Sequence, residues 1–140
     1  MNKIPELLAP SGDLTRLKAA VLFGADAVYL AGEEFGMRTA ATNFKKTDLA
    51  EGVHFAHEHG VKVHVTCNTV PHEEEMARMP EYLEYLNELG VDAIIASDLG
   101  TMRLIQKYAP NVQLHVSVQS GIVNAETANA FFELAQKEWF

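Results

Sequence analysis

The feature that most constrains this chain is a repeated junction. "GADAVYL" (Gly24 to Leu30) and "GVDAIIA" (Gly90 to Ala96) are near copies, and "GVKVHVT" (Gly60 to Thr66) is a third relative. In each, a glycine closes a helical segment and an apolar run begins at once. Glycine suits the left-handed position that ends many helices. The stretches between carry helix signals. Asp13 is placed to N-cap "LTRLKAAVLF" and Asn124 to cap the last helix. Asp48 with Glu51 has capping-box spacing. Pro80 suits the first turn of "PEYLEYLNELG", where Leu83, Leu86 and Leu89 form a stripe. The reading predicts strands at 4–9, 26–31, 62–67, 92–97 and 112–118, and helices at 13–23, 48–59, 80–89, 99–108 and 125–138.

Regular alternation of strand and helix means a parallel sheet with right-handed crossovers. The unit is about 28 residues, close to the ~31 of eight units in ~250 residues. The expected fold class is α/β: an incomplete (β/α)8 TIM-like barrel of about five units. Residues 1–140 form a single domain in this reading, the N-terminal portion of a longer barrel. An open parallel α/β sheet is the alternative, but its strands are usually apolar on both faces.

Two strands are not. "VHVTCN" (Val63 to Asn68) and "LHVSVQS" (Leu114 to Ser120) alternate apolar side chains with imidazole, hydroxyl and carboxamide. In a barrel, one strand face meets the helices and the other points inward, and catalytic groups sit at the C-terminal strand ends. The expected inward set is His64, Thr66, Asn68, His115, Ser117 and Gln119. Glu6 and Tyr29 are weaker candidates for the same face. Asp98 follows a strand and serves either as a helix cap or as a site residue. The 32–47 connection is long for a β-α loop, and long loops are often functional. It carries Arg38, whose fork fits a carboxylate or phosphate, and Asn43, which donates and accepts.

Composition removes some functions. Lys and Arg number 11 against 19 Asp and Glu, a net charge of −8. A nucleic-acid-binding face needs clustered cations, so none is expected in this segment. Cys67 is the one cysteine, which fits a reducing cytosol. No run approaches the ~20 apolar residues of a membrane span. His64 has the wrong strand parity to activate Cys67, and neither a Gly-x-Ser-x-Gly elbow nor a His-Glu-x-x-His helix occurs. "HFAHEH" (His54 to His59) lacks a further metal ligand and reads as a solvated helix face, so no metal site is expected. "HEEE" (His72 to Glu75) reads as acidic groups near a helix start.

The stretch "PELLAPSGDLTRLKAAVLFGADAVYLAG", followed by "EFGMRTAATNF", "VKVHVTCNT", "LGVDAIIASDLG" and "LHVSVQSGIVN", closely resembles peptidase family U32, the collagenase-like peptidases. The resemblance runs to about Ala135. It implies a barrel-like N-terminal region, a bacterial cytoplasmic setting and either of two activities. One is a protease of unknown catalytic type. The other, favoured here, is hydroxylation of tRNA, rRNA or ubiquinone, with prephenate-dependent 5-hydroxylation of the tRNA wobble uridine in the tRNA branch. Arg38 and Asn43 match the family's "GxR" and "NF" positions and resemble a ligand-binding loop. The family also implies an iron–sulfur cluster on downstream cysteines that this chain lacks. Expected partners are a small anion such as prephenate, or tRNA through the region beyond this segment. A fragment acting only as an interaction module is the remaining alternative. Self-association is expected through open sheet edges and the C-terminal helix around Phe131, Phe132, Trp139 and Phe140. The strand "IPELLA" is protected by Pro5, whereas "VQLHVSV" is not.

Overall fold

The computed structural model describes residues 4–37 and 43–136, with side chains to Leu134. The strands are β1 (Leu8–Pro10), β2 (Ala27–Ala31), β3 (Lys62–Cys67), β4 (Ala93–Ala96) and β5 (Gln113–Val116). They alternate with helices α1 (Leu14–Leu22), α2 (Lys46–Glu58), α3 (Glu73–Leu89), α4 (Leu99–Tyr108) and α5 (Ala125–Gln136). All four strand pairings are parallel, in the order β1-β2-β3-β4-β5. That sequential order is the winding of a β/α barrel. A doubly wound sheet reverses its order at a switch point, and this one does not.

Gly24, Gly60 and Gly90 all take positive φ (97°, 72° and 77°), as their place between helix and strand requires. The chain register then sets the faces. Val28 and Leu30, Val63, Val65 and Cys67, Ile94 and Ala96 pack with Leu17, Leu49, Val53, Met79, Leu83, Leu86 and Ile105 in one core between sheet and helices. The opposite parity carries Tyr29, Lys62, His64, Thr66, Ile95 and His115.

The third copy of the junction is out of phase with the other two. Ala27 pairs with Lys62, and His64 with Ala93. The residue two after the glycine therefore points to the helix side as Asp26 or Asp92, but to the other side as Lys62. The two aspartates do the same work. Asp26 Oδ2 accepts the Leu7 N–H at 2.7 Å and Asp92 Oδ2 accepts the Val63 N–H at 2.7 Å, each tying a strand start to its neighbour.

Several boundaries differ from the sequence reading. Helix α3 begins at Glu73, so Pro80 lies inside it. A capping box formed by His72 and Glu75, with Glu73 to Glu75 in the first turn, starts the helix about two turns earlier. Helix α2 begins at Lys46 behind Lys45, which makes no side-chain cap. Asp48 lies in its first turn rather than at a capping box, and Glu51 pairs with Lys18. Strand β1 holds Pro10, with Pro5 before it. Strand β5 stops at Val116 and passes into a 3-10 turn, Val118–Ser120. Phe131 packs on the core edge and Phe132 is exposed, while Trp139 and Phe140 lie outside the described residues.

Candidate functional site on the polar sheet face

The sheet face turned away from the helices is graded along the strands. At the N-terminal end Lys62 Nζ meets Glu6 Oε2 at 2.8 Å. This contact holds the Glu6 carboxyl below its usual range and the Lys62 ammonium above its own. In the middle, His64 stands in register between Tyr29 of β2 and Ala93 of β4. Ala93 is small, and across it the His115 ring of β5 meets the His64 ring edge to face, with centroids 4.9 Å apart at 83°. His64 is 4% exposed, and its Nδ1 has no partner among the described residues. Burial pushes its pKa down, and the neighbouring His115 adds to the effect. Thr66 donates from Oγ1 to the Leu30 carbonyl at 3.2 Å.

At the C-terminal strand ends a belt of polar groups joins four consecutive loops. Asn68 Oδ1 accepts the Met37 N–H at 3.2 Å, and Ser97 Oγ donates to the Asn68 carbonyl at 2.7 Å. Ser120 Oγ in turn donates to the Ser97 carbonyl at 3.0 Å. Ser117 Oγ accepts the Gln119 N–H at 3.2 Å, which turns the chain out of β5. His64, Thr66 and His115 thus share the expected face, and Asn68 and Ser117 sit in its rim. Gln119 stands apart from the pattern: the strand ends before it, so the period-two argument does not apply, and it is exposed in the 3-10 turn. Tyr29 and Glu6 belong to the face. Asp98 caps α4, accepting the Thr101 N–H at 2.8 Å. Asn43 is half-buried beside the Gly32–Phe44 bridge that closes the long loop. Arg38 lies outside the described residues. Sequence reasoning missed Lys62, Ser97 and Ser120; a lysine within an apolar strand was the available signal for the first.

The long loop folds back on the sheet through Thr69 N–H to Phe35 O at 3.2 Å and Phe44 N–H to Ala31 O at 3.1 Å. Phe35 is buried on Tyr82, ring centroids 5.4 Å apart. A side chain on Gly36 would place its Cβ 2.8 Å from that of Ala31, so glycine alone fits there. A cavity of about 20 Å³, room for little more than a water, is lined by Glu33, Glu34, Phe44, Lys46, Leu49 and Tyr82. It is small and away from the histidines.

Cys67 is fully buried on the helix side, where burial pushes its thiol up to about 12. One buried thiol can neither serve as a nucleophile at neutral pH nor supply the four thiolates of a common iron–sulfur cluster. In the folded chain Cys67 should react with a thiol reagent about a thousandfold more slowly than in urea, the ratio implied by about three pKa units. Labelling at the urea rate in native buffer would refute its burial. The helical histidines go separate ways: His54 to Glu58 at 3.3 Å, His57 to Asp92 at 2.8 Å and His59 to the Phe55 carbonyl at 2.8 Å. No group of three His, Cys, Asp or Glu among the described residues is placed to hold a metal. No helix among them is long and apolar enough to cross a membrane.

A model of the family described as Peptidase family U32 matches residues 12–138. The chain belongs to that family. It is 44% identical over 124 residues to tRNA hydroxylation protein P1 of Bacillus subtilis, covering 89% of this chain and 29% of that protein. It is 42% identical to the 23S rRNA 5-hydroxycytidine C2501 synthase of Escherichia coli, covering 88% of this chain and 18% of that one. Against a collagenase of Porphyromonas gingivalis the identity is 35%, covering 93% and 31%. This U32 chain thus spans about a third or less of the curated relatives it matches. Among solved structures, the U32 peptidase Mk0906 superposes with a TM-score of 0.74 at 16% identity, over 96% of this chain and 58% of that one. An α-amylase from Lactobacillus plantarum gives 0.55 at 14% identity, over 89% and 50%. At these identities the likeness is one of fold, and it agrees with the β/α winding.

Proposed function

We propose that this chain is the N-terminal barrel portion of an RNA-hydroxylating U32 protein that forms 5-hydroxyuridine at the tRNA wobble position, with prephenate as its small anionic co-substrate. The observation that carries the reading is the 44% identity to a tRNA hydroxylation protein across nearly the whole chain. The polar sheet face is the ligand face in this reading. Tyr29, His64, Thr66 and His115 line it, Asn68 and Ser117 shape its rim, Asn43 and Gln119 approach from the loops, and Arg38 is assigned to the ligand from its match to the family's "GxR" position alone. The net charge of −8 leaves this segment poorly suited to hold tRNA, so RNA contacts come from outside it. The iron–sulfur cluster implied by the family has no ligand set here, and no step is assigned to it.

The test is deletion of the gene encoding this chain, with tRNA nucleosides measured by mass spectrometry. Loss of 5-hydroxyuridine and its derivatives, and the same loss when prephenate supply is blocked, is expected. Unchanged nucleosides would overturn the reading. Loss of gelatin cleavage from the same strain would support the second one, a protease, which the 35% identity to a collagenase keeps open.

A further inference from the structure

We propose that the His64–His115 pair is a proton-operated latch, in which protonation drives the His64 ring out of the polar sheet face and opens that face between β3 and β5. The inference is independent of which reaction the protein serves.

The geometry leaves His64 one comfortable state. His64 stands in register between Tyr29 and Ala93, and its ring lies edge to face against the His115 ring. A neutral imidazole tolerates this place, since one nitrogen needs no proton. An imidazolium has two N–H groups to satisfy, yet Nδ1 is buried with no acceptor among the described residues. A buried, unpaired charge is costly enough that the group neutralises or moves. The titratable groups that act on it come from β3 itself and from β1, β4 and β5 or their starts, while β2 presents Tyr29. His115 on β5 and Lys62 on β3 oppose a positive charge, while Glu6 before β1 and Asp92 at the start of β4 favour one. Burial and His115 prevail, so the His64 pKa lies below the ordinary imidazole value. Glu6 shares this face and is bound to the exposed Lys62, so it offers a displaced imidazolium a carboxylate outside the buried pocket. His115 is only half-buried, so the open side of the pair lies at its ring.

The sign follows from linkage. As pH falls through about 6.5 the unfolded chain takes up the His64 proton, while the folded chain does not until lower pH. Folded-state stability is therefore lost downward from that point and levels off once the folded ring is protonated.

The experiment is an NMR titration of the imidazole carbons of the full chain between pH 8 and 4.5, repeated for His115→Gln and Glu6→Gln. His64 should titrate below its value in concentrated urea. Removing His115 should raise its midpoint, and removing the Glu6 charge should lower it. Tyr29 and Ile95 resonances should follow the His64 curve, because an opening face changes their surroundings. The proposal is overturned if His64 titrates at its urea value and ignores His115→Gln. It is overturned equally if Tyr29 and Ile95 stay flat through the titration. Glu6 is exposed and His115 half-buried, so neither substitution removes a fully buried side chain.

Discussion

Leu83→Ala is expected to destabilise the chain by about 2–5 kcal/mol, the range for truncating a fully buried leucine. Leu83 has no exposed surface and sits on the α3 face that also buries Met79, Tyr82 and Leu86. That face packs in the same core as Val65 and Ile94 on the centre of the sheet. The loss combines the transfer of the side chain with the cavity left behind, because a sheet and four helices cannot collapse onto one gap. Domains of this size have about 5–15 kcal/mol in all, so the variant should lose a large share of it. Urea unfolding followed by circular dichroism measures this. A change below about 1 kcal/mol would mean that α3 does not cover the sheet as described.

Asp92→Ala is expected to cost about 1–3 kcal/mol, the penalty for leaving a buried N–H without an acceptor. The N–H in question belongs to Val63, which is fully buried, and Asp92 Oδ2 also receives His57 Nε2 at 2.8 Å. Asp92→Asn keeps an acceptor oxygen and should recover most of the loss. If both variants unfold at the same urea concentration, the carboxylate charge rather than the strand-to-strand hydrogen bond is what matters there.

Much of this fold was readable because its local signals agree. Asp13 and Asn124 cap α1 and α5 as their positions suggest, and the helix Leu99–Tyr108 starts behind the Asp98 cap. Strand β3 runs from Lys62 to Cys67 because its alternation is unbroken. The errors arise where two signals compete. Pro80 favours a helix start, since it lacks an N–H, but His72 and Glu75 offer a better one, and Met76 and Met79 carry the apolar stripe back to them. The alternation in "LHVSVQS" continues past Val116, yet the Ser117 hydroxyl takes the Gln119 N–H, and Gly121, with φ of 70°, closes the turn. Alternation cannot reveal a side chain that competes for the backbone. The parity of the polar face was legible from period two. The edge-to-face contact of His64 with His115 was not, because it depends on strand order and on the small Ala93 between them.

The central claim is that the polar sheet face, and not the helix side, is the working face of this protein. It is tested most directly by replacing His115 with alanine in the chromosomal gene and measuring 5-hydroxyuridine in total tRNA. His54→Ala, on the exposed side of α2, serves as the control. The account predicts that His115→Ala lowers the modification by more than about tenfold, equivalent to about 1.4 kcal/mol of lost transition-state stabilisation, at an unchanged protein level, while His54→Ala leaves it intact. Full modification with His115→Ala at a normal protein level would contradict it.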